Sequence, residues 1–99
     1  MEITKKNNGE NIILQVEGRI DTVTNVELQK QILEAFQEAK DVVLDFTEVT
    51  YVSSAGLRAL LIGQKTAMSK GGSMTLENVA DSILKVLKVS GFDGILNIK

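Results

Sequence analysis

Two short runs of strict apolar alternation, separated by a stretch of helical periodicity, constrain this chain more than any other feature. From Asn11 to Glu17, Ile12, Leu14 and Val16 fall on one face, opposite Ile13, Gln15 and Glu17. Asp41 to Phe46 repeats the pattern, with Val42, Leu44 and Phe46 opposed to Val43 and Asp45. A period of two belongs to extended strands with one face in a core. Between them Val26, Leu28, Ile32, Leu33 and Phe36 recur at helical spacing, predicting a helix from about Val23 to Lys40. A strand, a helix and a second strand in this order form a parallel pair joined by a crossover.

The remaining elements extend that unit. Met1 to Lys6 reads as a first strand, and Asn7-Asn8-Gly9 supplies residues tolerant of the positive backbone angles of a tight hairpin. Gly18 interrupts the second strand, and Asp21-Thr22-Val23-Thr24 offers several helix N-caps. After the connecting stretch Thr47 to Val52, a helix starts near Ser53-Ser54, carries Leu57, Leu60, Leu61 and Met68, and stops at Gly71-Gly72. Ser73 to Glu77 is a strand. Val79, Ile83, Val86 and Leu87 outline a third helix closed by Gly91, and Ile95 to Ile98 is a last short strand. Right-handed crossovers between successive neighbouring strands place the helices predominantly on one face of a mixed, mainly parallel sheet. Alternating strands suit that α/β layout better than a doubly wound sheet, whose strands are apolar on both faces. At 99 residues, the expectation is one domain spanning residues 1–99.

Composition narrows function by exclusion. With neither cysteine nor histidine, the chain cannot build Ser-His-Asp or Cys-His catalysis, and it lacks the commonest metal ligands, so no metal or cofactor is expected. Gly71-Gly72 has neither the Walker A nor the dinucleotide spacing. Asp45, Glu48 and Lys65 are the available acids and bases, but such groups at strand ends and in loops are usually solvated, so an enzyme is not expected. A formal charge of −2 and few aromatic residues argue against direct nucleic acid binding. No apolar run is long enough to enter a bilayer as a span, and the N-terminus lacks a secretory core, giving a cytoplasmic expectation.

The most informative stretch runs from Leu44 to Leu61, through Tyr51-Val52-Ser53-Ser54-Ala55-Gly56-Leu57-Arg58. It joins the end of a strand to the start of a helix, where free N–H groups and the positive end of the helix dipole favour a negative group by about 0.3–1 kcal/mol when exposed. A phosphoserine is tolerated there, and small Ala55 and Gly56 leave room for an approaching surface. Serine is also a preferred N-cap, which is the simpler role for either hydroxyl. Arg58, one turn along, suits a phosphate or a partner, and equally a solvated surface.

Four segments together give a family resemblance over essentially the whole chain: Gly18-Arg19-Ile20-Asp21, Val42-Val43-Leu44-Asp45-Phe46, Tyr51-Val52-Ser53-Ser54-Ala55-Gly56-Leu57 and Ser90-Gly91-Phe92. Their order and spacing resemble the STAS-domain family, specifically bacterial anti-sigma factor antagonists. The resemblance implies a STAS-like sheet and a partner switch. The unmodified domain binds an anti-sigma factor with serine-kinase activity and frees a sigma factor; phosphorylation on serine reverses the binding, and a serine phosphatase restores it. The phosphoacceptor two positions before the helix glycine falls on Ser54. The chain departs from the frequent Asp-Ser-Ser-Gly form, with Ser53 in place of the aspartate and Ala55 in place of the second serine, so Ser53 is the alternative acceptor. The implied partner surface comprises Asp21, Ser53, Ser54, Ala55, Gly56 and Arg58, with Asp21 equally readable as a helix cap. A different use of the same fold, as a stand-alone docking subunit of a transporter or signalling assembly, is the second expectation.

Overall fold

The computed structural model describes residues 1–99. Its sheet has five strands: β1 (Glu2–Asn8), β2 (Asn11–Ile20), β3 (Asp41–Val52), β4 (Ser73–Glu77) and β5 (Asn97–Ile98), lying side by side in chain order. The first two form an antiparallel hairpin in which Ile3 opposes Val16, and every later pair is parallel. Three α-helices make the crossovers: α1 (Asn25–Glu38), α2 (Ser54–Ser69) and α3 (Asp81–Val89).

The alternating residues define the layers as expected. Ile12, Leu14, Val16, Val42, Leu44, Phe46, Met74 and Leu76 are all buried, whereas Ile13, Gln15, Val43, Asp45 and Thr75 on the opposite face are half-buried. The helices thus cover one face, and Lys5 of β1 pairs with Glu38 at the end of α1 across the margin of that layer.

Both central strands outrun their predicted ends. β2 continues through Gly18, whose φ of 105° an L side chain rarely adopts, to Ile20. β3 includes Thr47 to Val52 rather than ending at Phe46. The alternation fails there because β3 carries an extra residue at two places. Gln15 and Glu17 pair with Asp45 and Glu48, and the adjacent Gly18 and Arg19 pair with Val49 and Tyr51. Each bulge resets which residues face inward, so the buried positions become Phe46, Val49 and Val52.

Two helices are rotated relative to the apolar stripes read from the sequence. On α1 the buried face is Leu28, Ile32, Ala35 and Phe36. Val26, almost opposite Leu28 on the helix, is 68% exposed. On α2, Leu57 and Leu60 are buried as expected, but the rest of the inner face is the small-residue ridge Ala59, Gly63 and Ala67, while Met68 is 69% exposed. A Cβ on Gly63 would lie 3.0 Å from Ile32 Cγ2 and 2.6 Å from Met74 Sδ. Small side chains therefore set how closely α2 approaches α1 and the sheet. On α3, Ile83 and Leu87 are buried and Val86 is exposed. β5 begins only at Asn97, because residues Phe92–Gly94 form a 3₁₀ turn that tucks Leu96 into the core.

Candidate functional site

The two bulges bring the C-terminal ends of β2 and β3 level with the start of α2. Arg19 pairs with Tyr51, Ile20 pairs with Val52, and the Ser53 N–H then donates to the Ile20 carbonyl at 2.8 Å. One further backbone bond thus extends the parallel ladder to the residue that caps the helix. Ser53 has extended backbone, is half-buried, and its Oγ accepts the Gly56 N–H at 3.2 Å. It is the N-cap by geometry as well as by residue type.

Ser54 is the first residue of α2 and is exposed. Its position on the opening turn, beyond the cap, leaves it facing solvent beside the positive end of the helix dipole. The capping role thus falls to Ser53, and Ser54 is the exposed hydroxyl of the pair. Ala55 is half-buried, Gly56 is buried, and Arg58 is exposed. Gly56 is confined: a Cβ there would stand 2.7 Å from Ile20 Cγ2, 3.0 Å from Val52 Cγ1 and 3.1 Å from the Ile20 carbonyl oxygen. It lets the helix start rest directly on the strand ends, so its small size serves close packing.

Asp21 is held by its own loop. Its Oδ1 accepts the N–H groups of Val23 and Thr24, each at 3.0 Å, and lies 3.1 Å from Thr24 Oγ1. The Thr24 hydroxyl also donates to the Arg19 carbonyl at 2.6 Å, and Asn25 Nδ2 donates to the carbonyls of Asp21 and Thr22. Asp21 therefore caps the turn before α1, whereas Thr24 occupies the N-cap position itself. The hydrogen bonds from the Thr24 and Val23 amides hold the Asp21 carboxyl below its ordinary pKa, since they favour the charged form.

Arg19 and Tyr51, which sequence reasoning did not single out, complete this edge. The guanidinium carbon of Arg19 sits 4.2 Å from the centroid of the Tyr51 ring, and its Nε is 4.0 Å from Asp21 Oδ2. The signal that joins them is the β2–β3 register, which cannot be counted along the sequence because of the bulges. The acid–base candidates do not converge. Asp45 accepts from the Thr47 hydroxyl at 2.6 Å, the Thr47 N–H at 3.0 Å and Asn78 Nδ2 at 3.0 Å. The Thr47 hydroxyl bond, foremost, lowers its pKa. Glu48 is exposed on β3, and Lys65 is exposed on α2. No group of three or more carboxylates is arranged to hold a metal ion, and no helix is long and apolar enough to cross a membrane.

Comparison with known proteins places this geometry in a family. A family model described as "Mlab, STAS domain" matches residues 3–97. The anti-sigma-B factor antagonist of Bacillus subtilis (strain 168) is 24% identical over 98 residues, spanning 99% of this chain and 90% of its own. Its counterpart in Listeria monocytogenes serovar 1/2a is 29% identical over 97 residues, spanning 96% of this chain and 84% of its own. Among solved structures, a putative anti-sigma factor antagonist from Thermotoga maritima superposes with a TM-score of 0.89 at 18% identity, over 97% of this chain and 84% of that one. The anti-sigma factor antagonist SpoIIAA in its unphosphorylated form gives 0.76 at 16% identity, over 99% and 87%.

Proposed function

The chain belongs to the STAS domain family, and from that premise we propose that it acts as an anti-sigma factor antagonist switched by phosphorylation of Ser54. The observation that carries the site assignment is the division of labour between the two serines. Ser53 spends its hydroxyl on the Gly56 amide, while Ser54 stands exposed on the first turn. A kinase must extract a hydroxyl into its own active site, and an exposed one is the accessible substrate. Phosphate at Ser54 adds a charge of about −1.5 to −2 at the positive end of α2, where the fold tolerates it. The same charge stands exposed next to Ser53 at the head of α2, so a partner fitted to a neutral hydroxyl is repelled.

In this reading the unmodified chain binds an anti-sigma factor with serine-kinase activity, the kinase modifies Ser54 and is released, and a serine phosphatase resets the switch. The chain itself is substrate and ligand rather than catalyst, and acts in the cytoplasm. The relatives support the antagonist role by their names, and one structural neighbour, SpoIIAA, has been solved in a phosphorylated form.

The test is site-mapped intact-mass spectrometry of the protein from its native cells, before and after phosphatase treatment, paired with affinity capture by Ser54→Ala and Ser54→Asp variants. The expected result is a removable phosphate on Ser54, capture of a serine-kinase anti-sigma factor by Ser54→Ala, and loss of that capture with Ser54→Asp. Phosphate on Ser53 moves the site. No phosphate under several growth conditions, with recovery of a membrane ATPase, replaces the switch with a constitutive docking subunit.

A further inference from the structure

Arg19 combines two properties that rarely coincide on a surface: a fixed orientation and uncommitted donors. Its side chain is 62% exposed, yet its guanidinium lies over the Tyr51 ring at 4.2 Å. Stacking of this kind is attractive and restricts the plane of the fork. The nearest anion does not consume it. Asp21 Oδ2 is 4.0 Å from Arg19 Nε, beyond hydrogen-bond distance, and Asp21 Oδ1 already serves the Val23 and Thr24 amides. Glu17 and Glu48, register partners across the β2–β3 ladder, form no ion pair with it.

Tyr51, beside the fork, is 41% exposed. Arg19 and Tyr51 lie at the C-terminal strand ends next to the head of α2, because Arg19–Tyr51 is the register pair immediately before Ile20–Val52 and the Ser53–Ile20 bond. Arginine and tyrosine are the residue types that dominate interface energetics, and a pre-oriented arginine fork matches a carboxylate in a bidentate manner.

We infer that the Arg19–Tyr51 stack is the specificity-determining contact of the partner edge, receiving an aspartate or glutamate of the anti-sigma factor on the guanidinium and an adjacent apolar side chain on Tyr51. The inference rests on the function proposed above and gives the partner a stated chemistry: an acidic residue flanked by an apolar one, opposite the Ser54 edge. A charge contact of this kind also makes association depend on ionic strength.

The experiment uses the full chain and the purified anti-sigma factor recovered by Ser54→Ala as the probe, with affinity measured by titration at several salt concentrations. Wild type is compared with Arg19→Gln, Arg19→Lys, Arg19→Glu and Tyr51→Leu, each first shown to melt as a folded protein. Arg19→Gln is expected to weaken binding about tenfold or more and to flatten its salt dependence, with Arg19→Lys intermediate because it keeps charge but loses the fork. Arg19→Glu is expected to be restored by one Asp→Arg or Glu→Arg change in the partner. Binding of Arg19→Gln within twofold of wild type, with the same salt slope, overturns the inference while leaving the Ser54 switch intact. Failure of the unmodified wild-type chain to bind any anti-sigma factor instead overturns the function on which it rests.

Discussion

The missing side chain of Gly56 leaves a gap that Ile20 fills: a Cβ at position 56 would meet Ile20 Cγ2 at 2.7 Å. The neighbouring Ile20 carbonyl already accepts the Ser53 amide, so the strand end is held from two sides. Relief must come from moving backbone or a fully buried branched side chain. Gly56→Ala is therefore expected to destabilise the fold by about 1–3 kcal/mol, despite the better helix propensity of alanine. Urea unfolding measures this, and because Ile20→Ala removes the Cγ2 methyl, the double variant with Ile20→Ala is expected to cost less than the sum of the two single changes.

The two serines should separate in a thermal melt without any partner present. Ser53→Ala removes the acceptor of the Gly56 amide and is expected to cost about 1 kcal/mol. For a domain of this size that lowers Tm by about 4–8 °C. Ser54→Ala, at an exposed first-turn position, is expected to leave Tm nearly unchanged. Equal melting of the two variants would contradict the capping geometry.

Burial divides the apolar residues of α1 just as sharply. Ile32→Ala removes a fully buried side chain packed toward Gly63 and is expected to cost about 2–5 kcal/mol. Val26→Ser, at a largely exposed position, is expected to change stability by no more than about 0.5 kcal/mol. Chemical denaturation of the two variants side by side checks the rotation of the helix.

Acid should weaken the fold through Asp21 and Asp45, whose carboxyl groups are both held below their ordinary pKa by donated hydrogen bonds. A depressed folded-state pKa means the stabilisation is fully present above the unfolded value, about 3.9, and is lost as pH falls through the lower folded one. The wild type is expected to lose stability progressively below about pH 4. Asp45→Asn keeps an acceptor oxygen but no charge. It is expected to be less stable than wild type at pH 7 and to lose less on acidification, as read from denaturant midpoints across that range.

The sequence disclosed the strands wherever alternation was unbroken, and concealed them where it was not. Ile12, Leu14 and Val16, and likewise Val42, Leu44 and Phe46, declare their faces by period alone. Thr47 to Val52 does not, because two bulges turn a period of two into a spacing of three between Phe46, Val49 and Val52. Helical stripes misled for another reason. Val26 and Met68 are as apolar as their buried neighbours, but the packing of α1 on α2 is governed by Gly63 and its flanking alanines, which carry little hydrophobic signal. At the candidate site, paired serines at the head of a helix were legible. Which serine is tied down depends on a single bond to the Gly56 amide, and the approach of Arg19 to Tyr51 depends on register, so neither could be read along the chain.

Strand order that repeats chain order carries a consequence for how the molecule is assembled. Each new strand meets the one made just before it, so no segment must wait for a distant partner or thread past an existing layer. The contacts that shape the Ser54 edge all lie between Arg19 and Arg58. On a growing polypeptide, the residues of this candidate edge emerge together, ahead of β4, α3 and β5. Those later elements close the far margin of the sheet, where Met74 of β4 packs against Gly63 of α2.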